Sequence, residues 1–292
     1  MKFLLYAAGW LMAVILQAGD LPGIKRTEVI YGRKFGTALT LDVLQPPKTN
    51  GFGVIGVISG GFFSSHEAIN PEFFKAILDR GYTVFAVVHG SQPRFTIPEC
   101  AADLHRSVRF LRSHAGEYGI RADQLGVFGA SAGGHLSLTL GTQGTLGDPT
   151  ARDPIDRESS GVQAVAAFFP PTDYLNWGQP GDDAVGVGTL ASFKPAFGPR
   201  SETAESRAQY GREISPLYFV TAKMPPTLII HGESDKLVPI FQAEIFERKA
   251  KEVGAICRVD RRPGKEHGWS GIEQDLALFA DWFDLHLRGL KK

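Results

Sequence analysis

Gly129-Ala130-Ser131-Ala132-Gly133 sets a serine between glycines where the pattern of the chain changes. Leu125, Val127 and Phe128 before it read as a buried strand, and His135 to Leu140 after it read as a helix. A sharp strand-to-helix turn there would lift the Ser131 hydroxyl clear of a sheet, and small neighbours would let the backbone crowd together. A serine hydroxyl is a weak nucleophile at neutral pH. It becomes effective when a base takes its proton and a third group orients that base.

Eight histidines compete for the base. His267 sits in Gly264-Lys265-Glu266-His267-Gly268-Trp269, between the last strand-like run and the last helix-like run, where loops hold reactive groups. His231 lies at a strand end but precedes the preferred acid. His135 falls inside the helix after Ser131 and reads as a packed, hydrogen-bonded residue. His286 lies far along the final helix, and His66, His89, His105 and His114 precede the serine. For the acid, Asp235 in His231-Gly232-Glu233-Ser234-Asp235 lies just past a strand. Asp173, after the preceding strand, is its rival, and Glu233 a weaker one. Ser131, Asp235 and His267 are therefore the expected catalytic residues, and a histidine base implies a rate that rises with pH through the neutral range.

Attack on a carbonyl also creates a negative oxygen that needs donors. Ser59-Gly60-Gly61-Phe62 follows the apolar run Gly53 to Ile58, and the N–H groups of Gly61, Phe62 and Ala132 are the expected donors. Chemistry of this kind requires no cofactor, and no Cys/His cluster has zinc spacing. Gly51-Phe52-Gly53-Val54-Ile55-Gly56 fits the glycine pattern of dinucleotide sites, but it enters a strand instead of opening a helix.

The elements that must position these residues alternate. Strands are expected at 29–31, 39–44, 53–58, 82–88, 125–128, 162–169, 227–230 and 256–259. Helices are expected over 72–80, from near Pro98, after Ser131, along Ala243, Phe246, Ala250 and Val253, and finally along Ile272, Leu276, Phe279, Phe283 and Leu287. Ser270 and Glu273 have capping-box spacing for that last helix. The alternation predicts an α/β chain with a mostly parallel sheet and helices on both faces. The stretch 173–219 is too long for an ordinary connection. It reads as a cap or lid inserted after the sixth strand, or as a surface loop, and its aromatics Trp177, Phe193 and Phe197 could line a substrate pocket or form a small core of their own.

In 292 residues, Lys plus Arg and Asp plus Glu both number 31, a balance that gives no sign of a nucleic-acid partner. Lys2 followed by an apolar run from Phe3 to Ala18 reads as a secretory signal peptide, with a retained anchor as the alternative. Residues 21–292 would then form one domain without a stable membrane span, secreted or periplasmic. Cys100 and Cys257 read as buried free thiols, although export would permit them to pair.

From about Thr27 to Leu290 the chain resembles the α/β-hydrolase superfamily on its carboxylesterase/lipase side. It looks closest to hormone-sensitive-lipase-like esterases and to feruloyl and acetyl-xylan esterases. Gly129 to Leu136, His231-Gly232-x-x-Asp235 with Val238-Pro239, and His267-Gly268 carry the likeness. Such esterases usually have His-Gly-Gly-Gly where this chain has Ser59-Gly60-Gly61-Phe62. The resemblance implies an α/β-hydrolase fold and cleavage of a small-molecule or polymer-linked carboxylic ester through an acyl-enzyme. Two other readings remain: a serine peptidase of the prolyl-oligopeptidase type, for whose propeller no residues remain, and a non-catalytic binding protein on the same fold.

Overall fold

The computed structural model describes residues 21–290, so the expected export segment lies outside the described residues. Eight strands form one sheet in the order β1-β2-β4-β3-β5-β6-β7-β8. They are β1 (Lys25–Lys34), β2 (Thr37–Gln45), β3 (Gly53–Ile58), β4 (Thr83–Val88), β5 (Leu125–Ala130), β6 (Ala164–Phe168), β7 (Thr227–Gly232) and β8 (Cys257–Arg262). β2 runs antiparallel to β1 and β4, and the other pairings are parallel. The helices are α1 (Lys75–Leu78), α2 (Ile97–Ser113), α3 (Ala132–Gln143), α4 (Lys194–Phe197), α5 (Ala204–Ile214), α6 (Phe241–Glu252) and α7 (Ile272–Arg288).

Parallel strands buried on both faces need apolar residues at every position, and the central strands have them. Alternate side chains then feed two cores. Ile55, Val57, Val127 and Ile229 pack with Leu104 and Val108 of α2, Leu136 of α3 and Phe246 of α6. Val54, Phe128, Phe168 and Ile230 pack on the opposite face with Ile77 of α1 and with Leu276, Phe279 and Phe283 of α7. Each such side chain contributes about 1.5–3 kcal/mol by leaving water. This is the mostly parallel sheet with helices on both faces that the alternation predicts, and the architecture that the resemblance to α/β-hydrolases implies.

Two local expectations need correction. The 72–80 helix is a 3-10 turn at Pro71–Phe74 followed by the single turn of α1. Ser270 does not cap α7. Gly271, at φ +83°, takes the cap position without a side-chain bond, because the turn is already closed by the Ile272 N–H donating to the Trp269 carbonyl. The first two strands are also longer than the apolar pattern suggests, since their outer residues are half-exposed at the sheet edge.

The 173–219 insertion is folded, with a 3-10 turn at Gly188–Phe193 leading into α4 and α5. Its Tyr174, Trp177, Phe197 and Tyr210 are buried and belong to the same core as Val57 and Leu136. Gln242 of α6 ties it down. Its side-chain oxygen Oε1 accepts from the Thr172 and Asp173 N–H groups, and its side-chain Nε2 donates to the Asn176 and Trp177 carbonyls. Among the described residues no helix is long and apolar enough to cross a membrane.

Candidate active site

Ser131 lies between β5 and α3 at φ +54° and ψ −120°, a backbone shape that costs a non-glycine residue on the order of 1–3 kcal/mol. Its neighbours permit the turn. A Cβ on Gly129 would meet the Gly133 carbonyl carbon at 2.5 Å, and one on Gly133 would meet the Val57 oxygen at 2.8 Å. Three backbone bonds fix the corner: Ser131 N–H donates to Phe168 O, His135 N–H to Ser131 O, and Gly133 N–H to Ser59 O.

Two loops beyond β7 and β8 meet over this serine. The Glu233 N–H donates to the Arg262 carbonyl and the Ser234 N–H to that of Lys265. They approach so closely that a Cβ on Gly232 would lie 2.4 Å from the Lys265 oxygen. The result is a chain of three side chains. His267 Nε2 is 2.9 Å from Ser131 Oγ, and His267 Nδ1 is 2.7 Å from Asp235 Oδ2. A carboxylate only accepts, so Nδ1 carries the hydrogen and the Nε2 lone pair faces the hydroxyl. The Phe169 ring, its centroid 4.4 Å from that of the imidazole, packs against His267 at a tilt of 55°.

Burial alone would raise the Asp235 carboxyl. Hydrogen bonds from His231 and His267, with the Val238 N–H, hold it instead at about 2. Its other oxygen accepts from the Leu237 and Val238 N–H groups, both at 2.9 Å. His231 carries no sequence expectation of a role, yet its buried ring stands 3.4 Å from Asp235 Oδ2. The only signal for it is the four-residue spacing from Asp235. The rival Asp173 is engaged elsewhere, accepting from Tyr218 Oη, Asn176 Nδ2 and the Leu175 N–H within the insertion. Glu233 is exposed. His135 is fully buried, donates from Nδ1 to Pro171 O, and is pushed down to about 4 by that burial.

Gly61 and Phe62 occupy the corners of a tight turn in which Gly60 and Phe63 exchange both backbone hydrogen bonds at 2.9 Å. Both corners are left-handed, at φ +54° and +65°. Among the described residues the N–H groups of Gly61, Phe62 and Ala132 have no acceptor. All three residues line, with Ser131 and His267, a cavity of about 300 Å³. Trp177, Phe193 and Phe197 line its insertion side, with the Phe193 ring so close to Gly61 that a Cβ there would meet it at 2.5 Å. The thiols of Cys100 and Cys257 are both free, and Cys100 donates to the Gly90 carbonyl. Among the described residues no group of three His, Cys, Asp or Glu could hold a metal ion.

Comparison with known proteins adds the following. A family profile described as BD-FAE matches residues 41–250. The probable carboxylic ester hydrolase LipM of Mycobacterium tuberculosis is 26% identical over 231 residues, 77% of this chain and 52% of LipM, so the chain spans about half the length of that relative. A truncated carbohydrate esterase from gut microbiota superposes with a TM-score of 0.76 at 22% identity, covering 91% of this chain and 99% of that one. An acetyl ester-xyloside bifunctional hydrolase from Caldicellulosiruptor lactoaceticus gives 0.71 at 22% identity, with coverage of 89% and 93%.

Proposed function

The chain belongs to the BD-FAE family, and on that premise we propose that it is a serine hydrolase cleaving carboxylic esters through an acyl-enzyme. The observation that carries this reading is the continuous hydrogen-bonded run from Ser131 Oγ through His267 to Asp235 at the edge of an apolar cavity. Ser131 attacks the ester carbonyl while His267 Nε2 takes its proton. Asp235, kept anionic by its donors, holds the ring and stabilises its charged form. The N–H groups of Gly61, Phe62 and Ala132 receive the oxyanion. His267 returns the proton to the leaving alcohol, and water, activated by the same imidazole, releases the acid.

The acyl group occupies the cavity beneath Trp177, Phe193 and Phe197, whose volume of about 300 Å³ suits short or flat acyl groups better than long chains. Names such as carbohydrate esterase among the structural neighbours support acylated sugars as the alcohol side. The test is a panel of acetyl, butyryl, feruloyl and long-chain acyl esters, run beside fluorophosphonate labelling. We expect labelling that is absent from Ser131→Ala and turnover concentrated on compact acyl groups. Absent labelling of folded wild type, with none of the esters hydrolysed, would favour a non-catalytic protein.

A further inference from the structure

We propose that Gln92 is a positioning residue: it holds the Gly61–Phe62 peptide in the one orientation that aims the Phe62 N–H into the cavity, and this deepens, and rests on, the serine-hydrolase reading. Gln92 is 5% exposed and sits in the segment after β4. Its side-chain amide donates to the Gly61 carbonyl at 2.5 Å, and its backbone N–H donates to the Phe62 carbonyl at 3.1 Å.

The carbonyl and the N–H of one trans peptide point in opposite directions. With the Gly61 carbonyl drawn to Gln92, the Phe62 N–H must face away from it. The Gly60 carbonyl is likewise taken by the Phe63 N–H, which turns the Gly61 N–H outward. A turn with two left-handed corners has a close alternative. Rotation of its central peptide gives a turn in which only the first corner is left-handed, and a glycine at that corner accepts either shape. Phe62 would then leave φ +65°, a region that a bulky residue resists. The intrinsic preference of the chain therefore runs toward the flipped turn, with the Gly61 carbonyl in the place of a donor. The two bonds from Gln92 oppose that flip.

The segment bearing Gln92 is itself anchored. The Gly90 N–H donates to Asp103, which is paired with Lys34 at 2.6 Å. The Ser64 hydroxyl donates to Ile58 O and accepts from the His89 N–H, and the Ser64 N–H donates to Ser91 Oγ. The histidine side chain that family resemblance would place before the glycines is replaced here by Ser59. Gln92 supports the turn from the opposite side.

The experiment uses Gln92→Met, which keeps the length but removes the donor, and Gln92→Glu, which sets a carboxylate against the Gly61 oxygen. For Gln92→Met we expect kcat to fall about 10- to 100-fold with KM nearly unchanged, as for a weakened oxyanion donor. The affinity of a trifluoromethyl ketone, which forms the same oxyanion, should fall by the factor lost in kcat/KM. For Gln92→Glu, activity relative to wild type at each pH should decline as pH rises, because protonation restores a donor. Unchanged kcat in Gln92→Met, or a Gln92→Glu ratio of one and flat from pH 5 to 9, would overturn the proposal. Loss of the cooperative thermal transition in both variants would also overturn it, since aiming a donor is not a requirement for folding. Fluorophosphonate labelling of wild-type Ser131 separates this failure from failure of the hydrolase reading.

Discussion

The His231 and His267 rings share one carboxylate oxygen, standing 3.4 and 2.7 Å from Asp235 Oδ2. The Val238 carbonyl, 2.8 Å from His231 Nε2, can only accept, so that nitrogen carries its hydrogen and offers it to both oxygens. Replacement by an apolar residue strips a donor from a buried anion, which costs roughly 1–3 kcal/mol. His231→Leu is expected to lower kcat about tenfold with little change in KM, read from ester hydrolysis by the folded variant. Equal kcat would reduce His231 to packing.

The Ser131 backbone, at φ +54°, is a place where glycine fits better than any other residue. Ser131→Gly should therefore be more stable than Ser131→Ala by about 1 kcal/mol, while both lose activity. Differential scanning calorimetry of the two variants measures the difference. A higher transition temperature for Ser131→Ala would show the turn to be unstrained.

Asp235 gives the acid side of stability its sign. Its folded value of about 2 lies below the ordinary carboxyl value of 3.8, so its contribution is complete above about pH 4 and is lost as pH falls toward 2. The shift corresponds to roughly 2 kcal/mol. Urea unfolding between pH 5 and pH 2 should show Asp235→Asn losing less stability over that interval than wild type. Parallel curves would mean that the carboxylate gains nothing from its partners.

Gln242 satisfies four backbone groups at the base of the insertion. Gln242→Leu should cost about 3 kcal/mol or more, because several buried donors and acceptors are left unpaired at once. Limited proteolysis is expected to cut first within 173–219. Cleavage no faster than in wild type would show that the aromatic packing alone secures the segment.

The serine corner was legible because its demands are steric. A Cβ on Gly129, Gly133 or Gly134 would strike backbone at 2.5, 2.8 or 2.9 Å, and a sequence records that need for glycine directly. The buried strands were legible because unbroken apolar runs have few other uses. Gln92 was not, since its work is to hold carbonyl groups, and any residue of the chain supplies those. His231 precedes the acid in the chain, and chain order as a criterion is blind to a neighbour that acts through the acid. The short helices of the insertion escaped because α4 spans four residues, too few for a 3.6-residue period to appear. Ser270 misled because its spacing to Glu273 fits a cap while the adjacent glycine supplies the turn by itself.

Tyr174, Trp177 and Phe197 serve the walls of the cavity and the interior of the domain at once. Remodelling them to reshape the cavity would draw on the same packing that keeps the chain folded. The half-exposed Phe193 and Leu237, also in the cavity wall, carry less of that burden. Evolutionary drift toward new substrates has its least obstructed route along this rim, where selectivity can vary while the scaffold stays intact.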